Sequence, residues 1–91
     1  MKPFIAFLAA IQSGDLEEVQ NWLADTRIDP SARKNEALRL AAILGHTDIV
    51  ALLLADLRVD PGAENGEALW WATTKGNLSI VNLLLSRLSN Q

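Results

Sequence analysis

Ninety-one residues without a single cysteine suffice for one small domain and exclude both disulfides and thiolate metal sites. A formal charge of −3 leaves no basic footprint for a nucleic-acid backbone, and no apolar run reaches the roughly 18 residues that span a bilayer. Alanine and leucine dominate the apolar half while strand formers are few and scattered, so the core is expected to be all-helical.

Lys2 followed by the apolar stretch Phe4 to Ile11 has the outline of a short secretory leader. However, Phe7, Ala10 and Gly14 recur as Leu38, Ala41 and Gly45, which assigns the stretch to a helix near residues 4–13 instead. Gly14 stands where that helix must end in a left-handed residue, a conformation that costs glycine little. Asp15 follows as an N-cap, with Glu18 at capping-box spacing, and predicts a second helix near 16–24. Asp25 to Asn35 is a loop, because Asp29-Pro30 disfavours helix at the aspartate and removes a donor at the proline.

Ala37, Leu38, Ala41 and Ala42 recur at helical spacing and predict a helix near 36–44; Gly45 and His46 break it, and Ile49, Val50, Leu52, Leu53 and Leu54 resume it near 48–56. Asp56 to Gly66 repeats the loop. Helices near 67–75 and 78–88 repeat the pair, with Gly76 and Asn77 at the turn between them. Asn35 and Gly66 occupy equivalent positions and both tolerate the left-handed region, which predicts a tight turn just before each of these helix pairs.

The chain is thus one unit written three times, over about 4–34, 35–65 and 66–91. Gly14, Gly45 and Gly76 lie 31 residues apart, as do Val19, Val50 and Val81, and Leu23, Leu54 and Leu85. A fixed period of this size marks a stacked array, since a single helix pair cannot bury its own apolar face.

Glu36-Ala37-Leu38-Arg39-Leu40-Ala41-Ala42, Gly45-His46 and Val50 to Leu54 resemble the ankyrin repeat over nearly the whole chain. The resemblance implies a single domain spanning 1–91, an all-α, ankyrin-like solenoid of three stacked helix-turn-helix repeats. The family's Thr-Pro-Leu-His opening is replaced by Glu36-Ala37-Leu38-Arg39 and Glu67-Ala68-Leu69-Trp70, and the unit falls short of the family's usual length of about 33 residues. Short connecting loops are therefore expected. The family's glycine after the second helix is also missing, with Thr26-Arg27 and Leu57-Arg58 in its place.

Terminal units of an array must replace the apolar surface that inner units give to neighbours. Glu18 and Asn21 stand where the later units carry Ile49 and Leu52, or Ile80 and Leu83, so these positions are expected to face a preceding unit. At the other end Ile11 and Ala42 become Thr73, and Ala24 and Ala55 become Ser86. Both are expected to face a following unit, which gives a chain capped at each end, with Leu88 folded over the last helix pair and Ser89 to Gln91 frayed.

His46 is the only histidine, and no second histidine or cysteine completes a site with it. Together with the absence of a phosphate loop or nucleophile motif, this argues against an enzyme, a metal or any cofactor. Asp15, Glu17 and Glu18 are explained by a helix N-terminus, which favours negative charge.

In ankyrin proteins the concave groove and loop tips meet partners, and the two residues before each Gly-His belong to that surface. The resemblance therefore nominates Ile43, Leu44, Thr74 and Lys75, together with Arg33, Lys34, Glu64 and Asn65 at the loop tips. Both Ile43 and Leu44 are offered as contacts; the alternative is that one of the pair, Leu44 sooner than Ile43, is buried by a neighbouring helix. Trp70 and Trp71 stand where unit two has Arg39 and Leu40, and adjacent helical residues point about 100° apart. Trp70, Trp71 and Arg39 are nominated as partner contacts as well; Trp70 is the tryptophan expected to be exposed as an interface anchor, or else stacked under Arg39. Trp22, aligned with Leu53 and Leu84, is assigned to the core.

These residues describe a module that occupies another protein as an inhibitor, immunity-type protein or adaptor, in the cytoplasm or in a host cytosol if delivered as an effector. A monomer is favoured. The alternative is a self-associating homodimer built on Trp70, Trp71 and Ile43.

Overall fold

The computed structural model describes residues 2–90. Six helices follow one another: α1 (Pro3–Ser13), α2 (Leu16–Leu23), α3 (Ala32–Leu44), α4 (Thr47–Leu54), α5 (Ala63–Thr74) and α6 (Leu78–Ser89). Among the described residues there is no strand. Consecutive helices pair as α1–α2, α3–α4 and α5–α6, and the pairs stack so that α1, α3 and α5 form one row and α2, α4 and α6 the other. This is the three-unit all-α solenoid that the period demands.

Each pair turns on a glycine in the left-handed region, with φ of 75° at Gly14, 77° at Gly45 and 69° at Gly76. The amides of Asp15, His46 and Asn77 then donate back to the carbonyls of Ala10, Ala41 and Ala72, closing the same left-handed helix cap three times. Asp15 also accepts from the Glu18 amide at 3.1 Å, as an N-cap should. His46 and Asn77 occupy the same place without capping through their side chains.

Two aspartate turns shape each loop. Asp25 accepts from the Arg27 amide at 2.9 Å and Asp56 from the Arg58 amide at 3.0 Å, and the guanidinium of each arginine returns to the same carboxylate. The Arg27 hydrogen bonds hold the Asp25 carboxyl down at about 2, and Arg58 does the same in direction for Asp56. Asp29 and Asp60 then bend the chain by accepting from the amides of Ser31 and Gly62 at 2.9 and 2.8 Å. In unit three an arginine, Arg87, stands in the place of Asp25 and Asp56. Nothing stops the helix there, and α6 runs on through Ser89; of the stretch expected to fray, only Gln91 lies outside the described residues.

The tight turn before the inner helices is longer than Asn35 and Gly66 alone suggest. Arg33, Lys34 and Asn35 have φ of 57°, 59° and 59°, and Glu64, Asn65 and Gly66 have 55°, 58° and 77°. Each is one full left-handed turn, so the right-handed parts of α3 and α5 begin at Glu36 and Glu67. Left-handed backbone costs an L-residue about 1–2 kcal/mol, and specific bonds hold it here. The Arg39 side chain donates to the carbonyls of Lys34 and Arg33 at 3.1 and 3.2 Å. Asn35, itself buried, accepts from the Asp60 amide of the next loop at 2.9 Å.

The core runs through all three units: Phe7, Ile11 and Val19, then Leu38, Val50 and Leu53, then Ala72, Ile80 and Leu84, joined by Ile28 and Val59 from the loops. Alanines 37, 41, 42, 68 and 72 are fully covered, which lets the first row pack closely. Trp22 is only partly buried and packs against this core rather than within it.

Both stack ends are visible in the burial pattern. Glu18 is exposed where Ile49 and Ile80 are buried, and Asn21 is exposed where Leu52 and Leu83 are partly buried. Thr73 is likewise exposed where Ile11 and Ala42 are covered. The Ser86 expectation fails, because Ala24 and Ala55 are exposed in their own units and that position faces solvent rather than a neighbour. The far end is not polar overall, since Trp70, Leu78 and Leu85 are all exposed there. Leu88 turns back toward the preceding loop, its Cδ2 lying 3.7 Å from where a Cβ on Gly62 would be.

Candidate functional site

Side chains four apart on a helix share a face, which divides the outward surface of α3 and α5 into two stripes. Leu40 and Leu44, with Trp71 and Lys75 at the same places in the next unit, form the stripe on the open side of the first helix row. Lys75 Nζ lies 5.8 Å from the centre of the Trp71 ring and also donates to the Ile43 carbonyl at 2.8 Å. It thereby ties the end of α5 to the end of α3, and its four methylenes lie along an otherwise apolar strip. Leu44 is 41% exposed.

Arg39 and Ile43 belong to the other stripe, turned toward unit three. Arg39 Nη1 lies 3.4 Å from Glu67 Oε1 of that unit. Of the pair Ile43 and Leu44, Ile43 is the one partly covered and Leu44 is exposed, so the alternative that buries Leu44 fails. Arg39 is nominated as a contact residue, yet its guanidinium is committed to the left-handed turn and to Glu67. Among the described residues it does not stack on Trp70; the arginine over a ring is Arg33, 5.8 Å from the centre of Phe4.

Trp70 is 58% exposed and meets Trp71 edge to face, with ring centres 4.9 Å apart. It stands at the corner between the open stripe and the end of the stack, with Thr74 one turn further on. At the loop tips Lys34 Nζ lies 3.8 Å from Glu64 Oε1, bridging the two left-handed turns. Arg33 Nε lies 2.9 Å from Glu36 Oε1, but off the N–H direction, so this carboxylate oxygen is buried without an aligned donor. Asn65 is exposed beside Glu64.

His46 serves the stack. Its ring lies on Gly14, where a Cβ would come within 3.1 Å of Cε1, and its Nε2 is buried without a partner. The recess beside it, about 270 Å³, is lined by Gly14, Leu16, Gly45, Thr47, Asp48 and Ile49. Among the described residues no three histidine, cysteine, aspartate or glutamate side chains gather as a metal site, and no helix is long and apolar enough to cross a membrane.

Four exposed residues escaped nomination: Ile5, Leu57, Leu78 and Leu85. For Leu85 the register held a signal, since Leu54 at the same place is buried; Leu78 aligns with Leu16 and Thr47, which are only half-buried. Leu57 aligns with Thr26, and nothing in the structure explains its 86% exposure.

A family model for ankyrin repeats, in three copies, matches residues 7–91. The chain matches no curated protein and no solved structure.

Proposed function

Because the chain belongs to the ankyrin-repeat family, whose repeats are generally protein-interaction modules, we propose that it works by occupying another protein with the open stripe of its first helix row. The observation that carries this is the strip of Leu44, Trp71 and Lys75. Its side chains lie outside the core, yet they are largely apolar, aromatic and held in place from two units at once. Unit one has Ala9 and Ser13 at the matching positions, so the anchoring end of the strip lies in units two and three. An aromatic anchor such as tryptophan inside a polar rim is the usual make-up of a binding centre.

The bridged tips around Lys34, Glu64 and Asn65 supply such a rim and set association rate and salt sensitivity more than residence time. No catalytic step belongs to this reading. Inhibitor, immunity-type protein and adaptor all fit a module that acts by occupancy, in the cytoplasm or a host cytosol.

Affinity capture from the native host tests it, with Leu44→Asp and Trp71→Ala as stripe variants and Ala51→Arg, on the exposed face of α4, as control. A true partner is retained by the wild type and the control and is weakened by at least about 1 kcal/mol, several-fold in Kd, in each stripe variant. The melting temperature of Leu44→Asp should fall little. Undiminished capture by both stripe variants refutes the assignment.

A further inference from the structure

We infer that the open stripe takes a protein segment bearing an aspartate or glutamate beside an apolar side chain, with the carboxylate on Lys75 and the apolar group on Leu40, Leu44 and Trp71. The inference rests on the stripe reading above and adds to it the chemistry of the partner.

The repeat register gives the charge of the stripe. Continued at four-residue spacing, it is uncharged in unit one, as Ile5, Ala9 and Ser13, and its charged members are Glu36, Glu67 and Lys75. The two carboxylates are matched, Glu36 by Arg33 at 2.9 Å and Glu67 by Arg39 at 3.4 Å. The cation is not. Among the described residues no carboxylate pairs with Lys75, whose neighbours are the Ile43 carbonyl and the Trp71 ring. Both are neutral, so the ammonium keeps its full charge.

The bond to Ile43 has a structural role of its own, since the last carbonyls of a helix lack partners within it. It uses one of three ammonium donors and leaves Lys75 exposed. It also runs back to unit two, away from the end of the stack. The result is a cation held in place at the edge of an apolar strip before any partner arrives, which lowers the cost of ordering its long side chain on binding.

Charge across the molecule favours the same class of partner. Helices α1, α3 and α5, with the residues that cap them, hold five cations, Lys2, Arg33, Lys34, Arg39 and Lys75, against the three carboxylates of Glu36, Glu64 and Glu67. The other eight carboxylates lie in the second helix row, its caps and the loops, with three arginines. The chain is acidic as a whole, yet its first row is not. An acidic segment is therefore steered toward the stripe and away from the second row, and a basic one the reverse. Once the segment's apolar side chain covers Leu44 and Trp71, water leaves the neighbourhood of Lys75 and the ion pair there strengthens.

A random peptide library displayed on phage as an internal segment, selected on the immobilised full chain, tests this. The recovered sequences should carry aspartate or glutamate close to leucine, isoleucine, phenylalanine or tryptophan. Synthetic peptides of those sequences, blocked at both termini, should bind the wild type in fluorescence anisotropy with an affinity that falls with added salt. Lys75→Met, which keeps an unbranched apolar stem beside Trp71, should bind them at least about tenfold more weakly with unchanged helical circular dichroism. Lys75→Glu should regain binding when the peptide's acidic residue is replaced by lysine, an exchange that loss of the Ile43 bond alone would not produce. Peptides that are weakened by Leu44→Asp but lack an acidic residue and ignore Lys75→Met leave the stripe standing and overturn the carboxylate. Peptides that ignore Leu44→Asp overturn both. A selection that returns basic sequences, or none beyond those recovered on an unrelated protein, also overturns the proposal.

Discussion

Asn35 carries two separable jobs, and a pair of substitutions divides them. Its φ of 59° requires a residue that tolerates the left-handed region, and its Oδ1 accepts from the Asp60 amide at 2.9 Å, tying one inter-unit loop to the next. Asn35→Gly keeps the backbone and loses the bond. The expected cost is about 1 kcal/mol, the usual net worth of such a hydrogen bond, with a few tenths more from the freer unfolded chain. Asn35→Ala loses the same bond and adds the left-handed penalty of about 1–2 kcal/mol, for a total of about 2–3 kcal/mol.

Urea unfolding followed by circular dichroism measures both, and the slope should be unchanged, so that the midpoint alone reports stability. In a domain of this size the alanine variant should melt roughly 8–24 °C below the wild type. Gly66→Asn is the control, because α6 runs on through Ser89 where unit two makes the turn that leads to the Asp60 amide; it should gain nothing. Equal midpoints for Asn35→Gly and Asn35→Ala would refute the left-handed turn, and a glycine variant as stable as the wild type would refute the bond to Asp60.

The turn glycines make a second pair. Gly14→Ala should cost about 1–2 kcal/mol for its φ plus the displacement of the His46 ring lying 3.1 Å from the new Cβ, whereas Gly76→Ala, with open space around it, should pay the backbone term alone; equal losses would mean that His46 does not pack there. The third prediction is a pH dependence. The Arg27 hydrogen bonds depress the folded Asp25 pKa to about 2 from an ordinary 3.8, so the folded state binds that proton less readily than the unfolded one, and the linked stability is present above about pH 4 and lost as pH falls toward 2. Carboxyl NMR should show Asp25 titrating near 2 in the wild type and higher, though still below its ordinary value, in Arg27→Gln, which loses the guanidinium but keeps the residue-27 amide on the carboxylate; a titration that ignores this substitution would rule out the guanidinium as the main cause.

How much the sequence determined by itself follows from what is local and what repeats. The 31-residue register, the helix pairs, the left-handed turns at Gly14, Gly45 and Gly76, the Asp15 cap and the polar face at Glu18 and Asn21 all rest on backbone chemistry or on comparison between units. Each was legible before any contact was known. What the register could not say is whether the next layer reaches far enough to cover a given position. Ile43 and Leu44 are neighbours of equal apolarity, and only the packing of α5, with Lys75 bonded to the Ile43 carbonyl, leaves Leu44 as the exposed one. Arg39 looks like a surface cation in one dimension, but in three it holds two carbonyls of a left-handed turn and meets Glu67. Leu85 aligns with the buried Leu54 and is nonetheless exposed, since burial belongs to the neighbour that supplies it and not to the residue that needs it.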